Sequence, residues 1–174
     1  MAMSRANIRG DFSALAKLQA KVKKLASNDR QLGLSNVVGA AMLAELQLGF
    51  RSSTDPYGNP WAPLKLRTGG KPLLDTGRLR SSFSYQPSRS VVRIGTNFIG
   101  ARVHQYGATI TPKNGRFLVF RGKKQTRRRS FTPWIFATKV VIPRRQMVPE
   151  GSLGNWREPM EAAATRFLSR IMKG

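Results

Sequence analysis

Residues 81–96 read SSFSYQPSRSVVRIGT, and within this stretch the hydrophobic period of the chain changes. Upstream, apolar residues recur every three or four positions. From Phe83 onward they recur mostly every second position, in short runs broken by Pro, Gly, Asn and Ser. A period near 3.6 belongs to a helix lying on a core, and a period near 2 to a half-buried strand. The switch divides the chain into a helical first part and a sheet-forming second part, the pattern of an α+β domain.

Upstream of the switch, residues 31–51 are mostly helix formers. Leu32, Val37, Val38, Ala41, Met42, Leu43, Leu46 and Phe50 give them one broad apolar side. The spacing predicts a helix about 30 Å long. Gly33 and Gly39 each lower its local propensity by about 1 kcal/mol, and so mark places of close packing. Ahead of it, residues 11–26 read as an amphipathic helix with Leu15, Leu18, Val22 and Leu25 on one face and Asp11 or Ser13 as cap. These two elements make a helical part over 11–51. A rigid connector over 52–79 follows. In DPYGNPWAPLK (55–65), Pro56 and Pro60 fix φ, Gly58 admits a positive φ, and Tyr57 and Trp61 can pin the loop to a core. DTGRLRSSF (75–83) then reads as a turn opening a short helix or a strand, with Asp75 or Thr76 as cap.

Downstream, SSFSYQP, SVVRIGT, GARVHQYGATIT, RFLVFRG and PWIFATKVVIP are five candidate strands within 80–142. RGKKQTRRRSF lies between two of them as a hairpin tip, giving a long basic hairpin over 113–130. After the connector PRRQMVPEGSLGN, residues 155–172 read as a helix. Asn155 is its cap, Pro159 sits in its first turn, and Trp156, Met160, Ala164, Phe167, Leu168 and Ile171 form its apolar face. The expected architecture is one domain over 1–174. Its antiparallel sheet of about four to five strands is flanked by N-terminal helices and a C-terminal helix.

The 174 residues carry a formal net charge of +23. Sixteen Lys and Arg and no carboxylate lie between Asp75 and Glu150. Such a surface repels itself and calls for a polyanion or an acidic neighbour. An apolar content of 40% is enough for a core, and the absence of cysteine removes disulfides and thiolate metal sites. MAMSRANIRGDFSALAK lacks the apolar centre of a signal peptide. No sequence run reads as the roughly 20 apolar residues of a membrane span, so a soluble chain with no membrane partner is expected.

Catalytic chemistry has little to draw on. The chain has eight carboxylates and one histidine. His104, in a candidate strand, has no Cys, Asp or Glu beside it, and reads as a hydrogen-bonded structural residue rather than a ligand. RTGGK lacks the spacing of a phosphate loop, and no nucleophile elbow is present. No enzyme activity, cofactor or metal is expected. The basic tip is the better functional candidate. Arg121, Lys123, Lys124, Arg127, Arg128 and Arg129 can touch phosphates without reading sequence, or dock on acidic neighbours.

FRSSTDPYGNPWAPLK (50–65), KPLLDTGRLRSSF (71–83), VRIGTN (92–97) and ARVHQYGATI (101–110), in that order, resemble the tailed-phage virion morphogenesis, or tail completion, family of Mu-like and P2-like phages. IPRRQMVP (142–149) loosely matches a further P-x-R-x-φ pattern of that family, while the basic insert around 121–130 departs from it. The resemblance marks Asp55, Pro56, Gly58 and Trp61, then Asp75, Gly77, Arg78 and Leu79, then His104, Gln105 and Gly107, as signature positions. Read from the residues, these are structural: turns that fix a loop, a cap at Asp75, hydrogen bonds from Arg78 and His104, packing by Trp61.

The resemblance implies a non-enzymatic virion component at the neck or the head-proximal tail end. Its partners would be further copies in a ring, sixfold as is common among related connectors, together with neighbouring neck and tail proteins. Sequence-independent contact with genomic DNA would follow from a ring around the channel. Two other readings stay open: a free, basic nucleic-acid-binding protein, and a head-associated assembly factor.

Overall fold

The computed structural model describes residues 23, 27–64, 70–121, 124–125, 130–131 and 134–173. The expected helix over 11–26 lies outside these residues. The described chain opens with α1, Asn28–Ser52, 25 residues and about 37 Å long. It ends where Ser53 turns left-handed at φ 60°, and the Ser53 N–H closes on the Gly49 carbonyl. Gly33 and Gly39, two of its three glycines, are points of close packing against other elements. A Cβ at Gly33 would stand 2.8 Å from the Phe167 ring, and one at Gly39 would collide with the ring of Tyr85. The propensity they give up is exchanged for near contact with the last helix on one side and the first hairpin on the other.

By length and composition α1 is also apolar enough to cross a membrane, which corrects the expectation that no segment qualifies. In this fold the same apolar side packs against protein. Leu46 and Phe50 are its most buried side chains and the centre of the core. Trp61 meets Phe50 edge-on at 5.5 Å between ring centres, and Phe83 lies 6.0 Å from Phe50. Such pairs add about 0.5–1.5 kcal/mol each beyond their area. Leu79, Ala101, Met147 and Trp156 complete the cluster.

After the connector comes α2, Arg78–Ser81. Its N-cap position is Gly77, at φ 78°, rather than the expected Asp75 or Thr76. Strands β1 (Phe83–Pro87) and β2 (Val92–Thr96) pair antiparallel, with Phe83 opposite Thr96 and Pro87 opposite Val92. This hairpin lies on α1. Phe83, Tyr85 and Pro87 face inward and Ser84 and Gln86 outward, as the period-2 reading of residues 81–96 requires.

The next expected strand, GARVHQYGATIT, is mostly a helix. Residues Ala101–Tyr106 form α3, and only Ala108–Ile110 is extended, as β3. Ala101 and Gln105, one helical turn apart, are the buried pair. Spacing of four rather than two is what the core selects here. Gly107, at φ 75° and ψ 164°, ends the helix and turns the chain into β3.

The remaining strands pair in nested order. β3 pairs with β8 (Val140–Ile142), β4 (Leu118–Arg121) with β7 (Trp134–Ala137), and β5 (Lys124–Gln125) with β6 (Ser130–Phe131), all antiparallel. PWIFATKVVIP is thus two strands. A single sheet of four to five strands does not form among the described residues; four separate two-stranded pairs do. Because α3 takes the place of the third strand, the β1–β2 hairpin is not extended. The later strands find partners only in one another.

A 3-10 turn over Gly154–Trp156 leads into α4, Arg157–Lys173. Asn155 lies inside that turn, not at a cap. The inward face of α4 carries Met160, Ala163 and Phe167, while Leu168, expected on it, is exposed. Helix α4 packs along α1.

Candidate functional site

The signature segments converge on residues 144–150, a stretch with no regular secondary structure. Irregular backbone in a core must find its hydrogen bonds elsewhere. Here two sides supply them.

The first side is the loop 55–63. The Asp55 carboxylate accepts from the Tyr57 and Asn59 backbone N–H groups at 2.9 Å each, and from Asn59 Nδ2 at 3.0 Å. Burial raises its pKa, but these bonds outweigh that and hold it below the usual carboxylate value. The turn so fixed directs Tyr57 and Trp61. The Tyr57 hydroxyl donates to the Glu150 carbonyl at 2.7 Å and accepts from the Glu150 N–H at 3.1 Å. The Pro56 carbonyl accepts from the Asn155 N–H at 2.8 Å, and buried Trp61 donates Nε1–H to the Gln146 carbonyl at 2.8 Å. Gly58 takes φ 90°, as the turn needs.

The second side is α3. The buried amide of Gln105 accepts from the Met147 N–H at 2.8 Å and the Val148 N–H at 3.2 Å. It donates to the Val148 carbonyl at 2.8 Å and to Glu150 Oε1 at 2.9 Å. The His104 carbonyl accepts from the Arg145 N–H at 2.7 Å. Arg145 then reaches across to the first side. Its buried guanidinium donates to the Ala62 carbonyl at 2.8 Å and the Pro63 carbonyl at 3.0 Å. Burial lowers its pKa, though an arginine stays charged. Arg144, half exposed, pairs with Glu150 at 3.0 Å, a contact that solvent screening makes weak.

Next to this knot a cleft of about 350 Å³ opens between residues 73–79, with Leu64, and α3. Asp75, Gly77, Arg78, Leu79 and His104 all line it, together with Arg145. Leu79 is buried in the core, and Arg78 and Asp75 are exposed at the rim. The structure therefore joins two signature segments, 75–79 and His104, at one cleft. Asp55, Pro56, Gly58 and Trp61 belong to the first side and Gln105 to α3, and none of these five lines the cleft. His104 departs from its expected role: it is helical, and its buried Nδ1 has no hydrogen-bond partner among the described residues. Burial, and then the charge of Arg145, lower its pKa.

No group of three or more metal-ligating side chains occurs among the described residues. Of the basic tip, Lys123, Arg127, Arg128 and Arg129 lie outside the described residues; Arg121 and Lys124 are placed by backbone in β4 and β5. Sequence reasoning missed Arg145, Gln146 and Met147 as site residues. A signal was present, since Pro143, Arg145 and Met147 are the P, R and φ of the P-x-R-x-φ pattern, and the latter two are buried.

A model of the phage virion morphogenesis family matches residues 13–155. The matched span contains every signature segment and the whole 144–150 stretch. Neither the curated proteins nor the solved structures returned a match.

Proposed function

The chain belongs to the phage virion morphogenesis family, a structural or assembly family, and from that premise we propose that it acts at the neck or the head-proximal end of the tail. In this reading it completes the tail and joins it to the head as a subunit of a ring around the DNA channel. The observation that carries the reading is the convergence of the family's signature segments on 144–150. Their side chains spend their hydrogen bonds on fixing backbone, as Gln105, Trp61 and Arg145 do. Such a site presents one rigid shape to neighbours.

The charge supports the same reading. A net charge of +23 suits a subunit that encircles a polyanion or sits against acidic proteins. A closed ring of heterologous contacts lets one surface serve every subunit.

Electron microscopy of particles made without this chain tests the proposal. DNA-filled heads beside free tails of normal length are the expected result. Misshapen or empty heads with normal tails would move the role to head assembly. Overlong tails would leave termination as its task. Normal infectious particles would overturn the virion role in favour of a free DNA-binding protein.

A further inference from the structure

The β4–β7 ribbon carries an apolar face that stays about half exposed. Register places Val119 opposite Phe136 and Arg121 opposite Trp134, so Phe117, Val119, Trp134 and Phe136 share one side of the two strands. They are 45, 52, 57 and 64% exposed. Phe117 and Phe136 meet edge to face at 6.5 Å between ring centres, so the rings form one continuous patch. The other side, with Leu118, Phe120 and Ile135, is only partly covered. Among the described residues, β4 and β7 make no extensive contact with a named element beyond each other. An isolated two-stranded ribbon is marginal in water, and a contiguous aromatic patch on one marks an interaction surface.

The chemistry around the patch selects its occupant. Arg116 lies 5.8 Å from the centre of the Phe117 ring, Lys113 and Lys139 flank the ribbon in sequence, and no carboxylate occurs between Asp75 and Glu150. A second copy would bring the same excess of positive charge. Duplex DNA would satisfy the cations but leave the aromatic rings uncovered. The geometry points to a different protein as occupant, one presenting an apolar stripe rimmed by carboxylates. The inference rests on the virion reading above and names the partner chemistry that one face of the subunit takes. Apolar burial supplies the attachment, and the charges speed and orient the encounter.

Site-specific photo-crosslinking tests this in the full-length chain. Benzoylphenylalanine is placed at Val119, with exposed Ser169 on α4 as control position, in cells assembling the parent phage without its own copy of the gene. The expected adduct joins Val119 to another phage protein, at a segment combining carboxylates and apolar residues. Binding of the purified pair then weakens with salt, and Phe136→Ser or the strand-preserving Phe136→Thr weakens it at least about tenfold. An adduct with a second copy, with residues 1–26 of the same chain or with DNA overturns the inference. So does an adduct no stronger than that at Ser169, or binding indifferent to both variants. The two proposals fail separately. Normal particles without the chain would refute the neck role while the acidic-partner adduct stood; a copy-to-copy adduct would refute the partner while the head–tail defect stood.

Discussion

Gln105 Oε1 accepts the backbone N–H of Met147 at 2.8 Å, and both residues are buried. One side chain thereby stands in for a missing strand partner along a stretch that has no regular structure of its own. Replacing it should expose how much of the site depends on that substitution. Gln105→Leu keeps the bulk but leaves the Met147 and Val148 N–H groups without their acceptor. A loss of about 2–4 kcal/mol is expected in chemical denaturation, since each buried group left unpaired costs about 1–3 kcal/mol. A loss under about 0.5 kcal/mol would mean that water replaces the amide.

Arg145 should not tolerate lysine. Its two bonds run from Nε and Nη2 to neighbouring carbonyls, a fork that an ammonium cannot reproduce. Arg145→Lys is expected to cost about 1–3 kcal/mol. Because the acceptors are carbonyls and the site is buried, that cost should be the same at low and high salt. A cost that shrinks as salt rises would point to an ion pair instead.

Two glycines with positive φ separate backbone strain from crowding. At Gly77, φ 78°, a Cβ would meet nothing within 4 Å; at Gly107, φ 75°, it would stand 3.1 Å from the Arg144 nitrogen and 3.2 Å from the Ile142 carbonyl oxygen. Gly107 also has ψ 164°, a region essentially reserved for glycine. Gly77→Ala should cost about 1–2 kcal/mol, and Gly107→Ala clearly more, in paired thermal or denaturant melts. Equal losses would show that neither the ψ of Gly107 nor crowding at Arg144 adds to the cost of a positive φ.

His104 should make the fold sensitive to mild acid. Burial and Arg145 hold its pKa below the ordinary value of 6.5, so below that pH the unfolded chain binds a proton that the folded chain resists. Stability is therefore full above about pH 6.5 and falls as pH drops toward the lowered folded pKa. As the chain's sole histidine, it gives a single imidazole signal to follow by NMR. The expected midpoint lies below 6.5, and His104→Gln should flatten the stability profile between pH 5 and 6.5, about where an ordinary histidine titrates. A midpoint at or above 6.5 would contradict the buried, unpartnered placement.

Much of this could be read in the chain before any coordinates. The helix over 31–51 was legible because its apolar side is broad and Gly33 and Gly39 fall where another element comes close. Strands β1 and β2 were legible because their alternation is local and one face is buried on α1. The pinning roles of Tyr57 and Trp61 followed from aromatic residues set among prolines and a glycine. In each case the deciding interaction is periodic or lies within a few residues.

ARVHQYGATI was not legible in the same way. It carries a strand-like composition, and whether Ala101 and Gln105 or the alternate residues point inward is decided by what waits for them. That is the 144–150 stretch, about 40 residues further on. The burial of Arg145 was hidden for the same reason. A guanidinium is tolerated in the core only where carbonyls converge on it, and those of Ala62 and Pro63 come from a loop more than eighty residues away. Sequence by itself determined the class of the fold, its family and the acid-free basic surface, because composition, period and turn chemistry are local properties. Only the tertiary structure decided which polar side chains are spent on holding the backbone, and that the β4–β7 ribbon keeps an aromatic face about half exposed. Those outcomes depend on long-range contacts that no single segment encodes.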